Sequence, residues 1–317
     1  MIEILLATYN GSEYIEEQIN SILSQTFKEW HLTIRDDFST DDTYDKLLEF
    51  QGMYPEKIKV LEDRTASKKA CFNFMRLTRY AMENVDAPFY MFCDQDDVWE
   101  PDKIEQTFNM MKKMSRKYGE NIPLLVHTDL FVVDENLSII SPSFMRYTNL
   151  DESKNLCDLL IMNSVVGCTI MVNRCLLEMF SKAPECDRIH MHDHFMALIA
   201  ATYGKIGYVK CSTIKYRQHN DNSMGAADAA SFTHKIKRFA NGSKHYKEDV
   251  MLTYKQVGLL LELYENENPK PDEKIVSLLH GYAELENADK LKRIKFYIKY
   301  KILKKGFSRC IFQLLWA

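Results

Sequence analysis

Residues 89–97 read FYMFCDQDD. Five apolar or aromatic residues run straight into three carboxylates within four positions. This is the pattern of a buried strand that ends in an acidic turn. The same pattern stands earlier in the chain. Residues 2–7, IEILLA, form an apolar run that stops at the polar turn Thr8-Tyr9-Asn10-Gly11, and residues 30–35, WHLTIR, stop at Asp36-Asp37. Helical spacing of apolar residues fills the gaps, with Tyr14, Ile15, Ile19, Ile22 and Leu23 after the first strand and Tyr44, Leu47, Leu48 and Phe50 after the second. Residues 58–61 read as a third strand, 72–82 as a helix, 101–114 as another helix, and 124–127 and 131–133 as two further strands. Strand and helix in alternation predict an α/β fold whose central sheet is mostly parallel and flanked by helices. Ligands of such sheets bind beyond the carboxyl ends of the strands. Tyr9, Asp37 and Asp94–Asp97 should therefore meet on one edge.

Composition sets the outer bounds. The chain has 317 residues, 46% of them hydrophobic and 27% charged, a globular balance. A net charge of −4 gives no basis for binding nucleic acid in bulk. The N-terminal stretch lacks a basic segment before its apolar run and a small-residue cleavage site, so it does not read as a secretory signal. Eight cysteines without a CxxC pair argue against a disulfide framework or a zinc knuckle and fit a cytoplasmic location. Charge is uneven along the chain. Nine cations and no acid follow Asp289, leaving a formal −13 on the rest. Residues 225–232 are small and polar. They divide the sequence into a domain of residues 1–225 and a helical C-terminal region of residues 226–317.

Asp94, Asp96 and Asp97 repel one another unless a cation or hydrogen bonds compensate. A divalent ion shared with a diphosphate is one use of such a cluster, and an acidic loop capping the next helix is the other. Three segments decide the matter by resemblance. ATYNGSEYIEEQINSILSQTF, RDDFSTDDT and CDQDDVWEPDKIE, in this order and spacing, resemble the family 2 inverting glycosyltransferases of GT-A fold. The likeness covers roughly residues 1–220. HMHDHFMALIAATYGKIGYV and YRQHNDNSMGA are similar to bacterial polysaccharide rhamnosyltransferases.

The resemblance implies roles. Ala7, Thr8 and Tyr9 would contact the nucleotide, and Asp37 would accept a hydrogen bond from the base imide. Uracil and thymine carry that N–H and cytosine does not, which favours UDP or dTDP donors. Asp96 would face ribose or metal, and Asp97 would be the main ligand of Mn²⁺ or Mg²⁺. Arg64 would touch base or phosphate, or else be a solvated loop charge. His219 would reach the diphosphate or metal, or else be a surface histidine. Asp193 would be the general base, with His192 and His194 as site wall. Gly167-Cys168-Thr169 would line the acceptor side or form a buried strand.

The expected reaction moves a sugar from a dTDP- or UDP-sugar, dTDP-β-L-rhamnose first, to a saccharide acceptor, lipid-linked, in bacterial surface polysaccharide synthesis. A UDP-hexose transferase is the alternative within the class, and an inactive nucleotide-sugar-binding scaffold the alternative outside it. A nucleotidyltransferase would need a glycine-rich basic loop after the first strand, which Thr8–Gly11 does not supply. After Leu291, aromatic and aliphatic residues interleave with the cations. That pattern suits peripheral binding at the cytoplasmic face of a membrane, or a helix packed on the acidic body.

Overall fold

The computed structural model describes residues 1–150, 155–218, 232–268, 270–304 and 306–316. The elements, in chain order, begin with β1 (Ile2–Thr8), α1 (Ile15–Leu23), β2 (Trp30–Asp36), α2 (Thr43–Met53), β3 (Ile58–Val60), α3 (Ala70–Asn84) and β4 (Phe89–Cys93). There follow β5 (Val98–Trp99), α4 (Lys103–Tyr118), β6 (Leu124–Val133), β7 (Ile139–Ser141), α5 (Phe144–Thr148), α6 (Leu156–Leu159), β8 (Met171–Asn173) and α7 (Arg174–Ser181). The last are α8 (His192–Tyr203), β9 (Lys205–Arg217), α9 (Phe232–Tyr264), α10 (Glu273–Ala283), α11 (Lys290–Tyr300) and α12 (Phe307–Trp316). The boundary expected near residue 225 lies outside the described residues.

One sheet runs in the order β3-β2-β1-β4-β8-β6-β9-β5, with β7 paired to β6. From β3 to β4 every pairing is parallel, and β6 pairs with β9 in parallel. The strands β5, β7 and β8 join antiparallel, so the far half of the sheet is mixed. The two strands expected at 124–127 and 131–133 are a single strand, β6, because its partner β9 is long enough to follow it through the polar residues between.

Central β1 shows why both faces of the sheet are covered. Ile2, Ile4 and Leu6 join Ile15, Ile19, Leu47 and Ile104 on one face, while Leu5 joins Phe74, Leu177 and Phe195 on the other. Strand period two sends alternate side chains to opposite layers of helices. Each such fully buried side chain is worth about 1.5–3 kcal/mol.

The basic tail is part of this body. Tyr297 is fully buried, and its hydroxyl meets that of Tyr254 on α9. Phe312 packs edge-on against Tyr246 with ring centroids 5.0 Å apart. Its cations bind carbonyls more than acids. Arg293 donates to Leu285 O and Glu286 O, and Arg309 to Thr148 O and Asn149 O. Leu291, Ile298, Ile311 and Leu315 stay exposed on the outer side. No helix among the described residues is long and apolar enough to cross a bilayer.

One charge sits inside the sheet layer. Glu3 on β1 is 1% exposed and accepts a hydrogen bond from Thr33 Oγ1 at 2.6 Å. Burial pushes its carboxyl up to about 7. The folded protein therefore holds a proton that the unfolded chain releases from about pH 4.5 upward, so this residue's contribution to stability falls as pH rises to about 7. Glu3→Gln keeps the shape and the Thr33 bond. Urea melts at pH 5 and pH 8 should show the variant gaining on the wild type at the higher pH, by on the order of 3 kcal/mol. An equal difference at both values would contradict it.

Candidate active site

The carboxyl ends of β1, β2 and β4 open into one cleft of about 1310 Å³. One wall carries Ala7, Thr8, Tyr9, Asp37 and Asp94–Asp96. The facing wall carries Val165–Gly167, His190–His194 and Tyr216, with Tyr246, Asp249 and Thr253 of α9 and Lys304 of the tail. Asp193 thus comes to the same cleft as the strand-end acids from 96 residues further along the chain than Asp97.

Each strand-end carboxylate has its own support. Asp36 is fully buried and accepts from Thr8 Oγ1, Ser39 N and Arg64 Nε, the last at 3.1 Å. Arg64 lies 3.8 Å over the Tyr44 ring, is not part of the cleft wall, and serves Asp36 as counter-ion. Asp37 faces the cleft, held by Arg35 at 3.1 Å, Ser67 N at 2.6 Å, Ser67 Oγ at 2.8 Å and Lys68 N at 3.2 Å. Lys68 adopts a positive φ of 65°, which brings its N–H onto the carboxylate.

The acidic turn divides. Asp94 and Asp96 line the cleft, whereas Asp97 is fully buried beneath its floor. Asp97 Oδ1 accepts from Arg217 N at 3.3 Å, and its Oδ2 has no hydrogen-bond partner. Carboxylate oxygens of Asp94 and Asp97 and the Cys168 sulfur lie within 4.8 Å of one another. Burial, with Asp96 and Asp193 beside it, pushes the Asp94 carboxyl up to about 7, and burial with Asp96 and Asp94 drives Asp97 well above the carboxylate range. A divalent cation would relieve that repulsion, so the oxygen donors fit one. Between the two acids Gln95 clamps the first turn, accepting from Tyr9 N at 2.7 Å and donating to Tyr9 O at 2.9 Å. A Cβ on Gly11 would lie 2.4 Å from the Gln95 side chain, so only glycine admits the clamp.

Asp193 stands in the first turn of α8. It accepts from the backbone N–H groups of His194 and Gly167, yet burial pushes its carboxyl up to about 7. His194 is structural, with Nε2 2.7 Å from Leu159 O and Nδ1 3.2 Å from Gln256 Nε2. Gly167-Cys168-Thr169 form a single 3-10 turn leading into β8, with Gly167 on the cleft wall. His219 lies outside the described residues. Sequence reasoning missed two buried arginines. Arg35 holds Asp37, Asp63 and Asn73, and Arg217 binds Glu17 and the carbonyls of Asp96 and Glu135. Their signal was a cation closing an otherwise strand-like run, in WHLTIR and CSTIKYR.

Comparison with known proteins agrees with this arrangement. The family model described as glycosyl transferase family 2 matches residues 3–117. The chain is 32% identical over 254 residues to the dTDP-rhamnosyl transferase RfbG of Shigella flexneri, covering 77% of this chain and 82% of that protein. It is 29% identical over 222 residues to the UDP-Glc:alpha-D-GlcNAc-diphosphoundecaprenol beta-1,3-glucosyltransferase WfgD of Escherichia coli, covering 68% and 77%. Among solved structures, S. aureus TarS 1–349 in complex with UDP-GlcNAc superposes with a TM-score of 0.52 at 14% identity, over 96% of this chain and 93% of that one. The chain belongs to glycosyltransferase family 2 and has the GT-A fold.

Proposed function

We infer that this glycosyltransferase inverts the configuration of the sugar it moves, taking it from a dTDP- or UDP-sugar to a saccharide acceptor in bacterial surface polysaccharide synthesis. The observation that carries this reading is one cleft with strand-end acids on one wall and Asp193 on the other. The likeness to RfbG, named a dTDP-rhamnosyl transferase, favours dTDP-β-L-rhamnose as donor, with a UDP-hexose next. WfgD's name includes a diphosphoundecaprenol acceptor, which supports a lipid-linked one here.

In this reading Ala7, Thr8 and Tyr9 bind the nucleotide and Asp37 reads its base. Both Asp37 oxygens already accept two donors, so the imide N–H replaces one of them, and Lys68 N is the longest of the four. Asp94 and Asp96 hold Mn²⁺ or Mg²⁺, since they face the space that a diphosphate enters, and Asp97 braces the turn from below. The bound ion neutralises the diphosphate as it departs. Asp193 takes the proton of the acceptor hydroxyl while that oxygen attacks the anomeric carbon. The broken bond's electron pair leaves with the diphosphate on the opposite face. A carboxyl near pH 7 is a more effective base than an ordinary one.

The exposed strip of the tail supports a peripheral membrane role. Leu291 and Ile298 share a face of α11, Ile311 and Leu315 share one of α12, and Lys290 Nζ donates to Leu315 O, which joins the two helices at that end.

Three outcomes test this. Asp193→Asn should melt as the wild type does, bind nucleoside diphosphate equally well and lose about 10²- to 10⁴-fold in transfer rate. Activity that falls only with the folded fraction would make Asp193 structural. Asp94→Asn and Asp96→Asn should each remove the Mn²⁺ enhancement of UDP or dTDP binding seen by calorimetry, while Asp97→Asn keeps it. Loss in the Asp97 variant alone would move the ion beneath the floor. Ile298→Glu with Leu315→Glu should reduce co-sedimentation with phosphatidylglycerol vesicles without lowering the melting temperature. Unchanged sedimentation would leave the tail a packing element only.

A further inference from the structure

His192 stands beside Asp193 and lines the same cleft, but it is built differently from its neighbours. It is 2% exposed, and neither ring nitrogen has a hydrogen-bond partner among the described residues. Its ring lies between two phenylalanines, 4.1 Å from Phe74 and 5.5 Å from Phe92 by centroids, at interplanar angles of 31° and 28°. Those walls fix the plane of the imidazole and offer its nitrogens nothing. Leaving a buried polar group unpaired typically costs about 1–3 kcal/mol. The other histidine of the pair, His194, uses both its nitrogens within the fold.

The open side of the ring is marked by Gly167. A Cβ there would lie 2.9 Å from His192 Nε2 and 3.6 Å from Asp193 Oδ2. Gly167 does not have a positive φ, so its backbone does not demand glycine. What its missing side chain leaves free is a space bordered by both polar atoms, on the wall of the cleft opposite the strand-end acids.

Resting on Asp193 as the base, we propose that His192 and Gly167 form an acceptor subsite in which a vicinal diol of the acceptor sugar is held, one hydroxyl at Asp193 Oδ2 and its neighbour at His192 Nε2. A neutral imidazole donates from one nitrogen and accepts at the other, so a hydroxyl is a suitable partner in either tautomer. Burial keeps the ring neutral, pushing its pKa down to about 3. His192 exchanges no proton in the reaction. It selects which hydroxyl of the acceptor reaches the base, and so the linkage position. The two phenylalanine faces keep this choice rigid.

The test uses the full chain with dTDP-rhamnose, UDP-glucose and UDP-galactose as donors and octyl glycosides of rhamnose, glucose, galactose and N-acetylglucosamine as acceptors. His192→Phe fits the aromatic slot and should melt at or above the wild-type temperature. It should bind UDP or dTDP with Mn²⁺ equally well and hydrolyse donor to water at the wild-type rate. Its kcat/KM for transfer to the best glycoside should fall by about 10- to 100-fold, with a more mixed linkage product. His192→Gln, which restores a donor and an acceptor, should recover part of the loss, and Gly167→Ala should reproduce it. With ¹⁵N-histidine protein, at least one glycoside should shift the His192 ring resonances in the wild type and none in Gly167→Ala. Transfer by His192→Phe within twofold of wild type, a loss matched by a lower melting temperature, or unmoved ring resonances with every glycoside would each overturn the proposal. A fully active Asp193→Asn would instead overturn the base on which it rests. An inactive Asp193→Asn beside a fully active His192→Phe would remove only this subsite.

Discussion

Carboxylates drawn together away from water repel one another, and most of the construction around the cleft answers that repulsion. Asp36, Asp37, Asp94, Asp96, Asp97 and Asp193 lie at or just behind its walls. Arg64 answers Asp36, Arg35 answers Asp37, and Arg217 spans Glu17, the Asp96 carbonyl and the Asp97 carboxylate. Removing one partner from a buried pair typically costs about 3–5 kcal/mol, so each arginine is tied to its place as firmly as the acid it serves. Asp94 and Asp193 differ. They have hydrogen bonds but no cationic partner among the printed ion pairs of the described residues, and both carboxyls rise to about 7. The protein neutralises the acids that shape the turns and leaves electrostatically strained the two that face substrate.

That division explains what the sequence made legible. Strand followed by acid, read at residues 2–9, 30–37 and 89–97, located the carboxyl edge of the sheet because strand period and turn chemistry are local properties. Which of the clustered acids turns into the cleft was not legible. Asp96 and Asp97 are adjacent, and on extended backbone adjacent residues point opposite ways, so their roles depend on where Arg217 arrives from β9, 120 residues later. Arg64 was misplaced for a similar reason. A loop arginine next to a nucleotide motif resembles a phosphate contact, but Tyr44 and Asp36 take its planar face and its edge. The arginines that brace the site were passed over because a cation ending a strand looks like a solvated charge until the residue across the sheet is known.

The tail shows the same limit at larger scale. Alternating cations and apolar residues fit both a lipid surface and a packed helix, since either needs an amphipathic face. Tyr297, Ile302 and Phe312 turn one face inward against α9, while Leu291, Ile298, Ile311 and Leu315 remain outside. Too many apolar residues are present for one interface alone, which is why packing on the body leaves the outer strip unaccounted for.

The two walls of the cleft also differ in how far apart in sequence their residues stand. The donor-side wall is made within the first 97 residues, inside the stretch that the family model matches, from three turns that repeat one strand-to-loop design. The facing wall is gathered from the 161–167 segment, the start of α8, α9 and Lys304. Its parts are set by helix packing, such as the Gln256 contact to His194 and the Tyr282 hydroxyl on Leu160 O. Lys304 is drawn into this packing far enough that burial lowers its pKa to about 8. A change of acceptor can therefore arise from any of several distant segments without disturbing the nucleotide turns. The C-terminal region, set apart by composition, is in physical terms the other half of the active site.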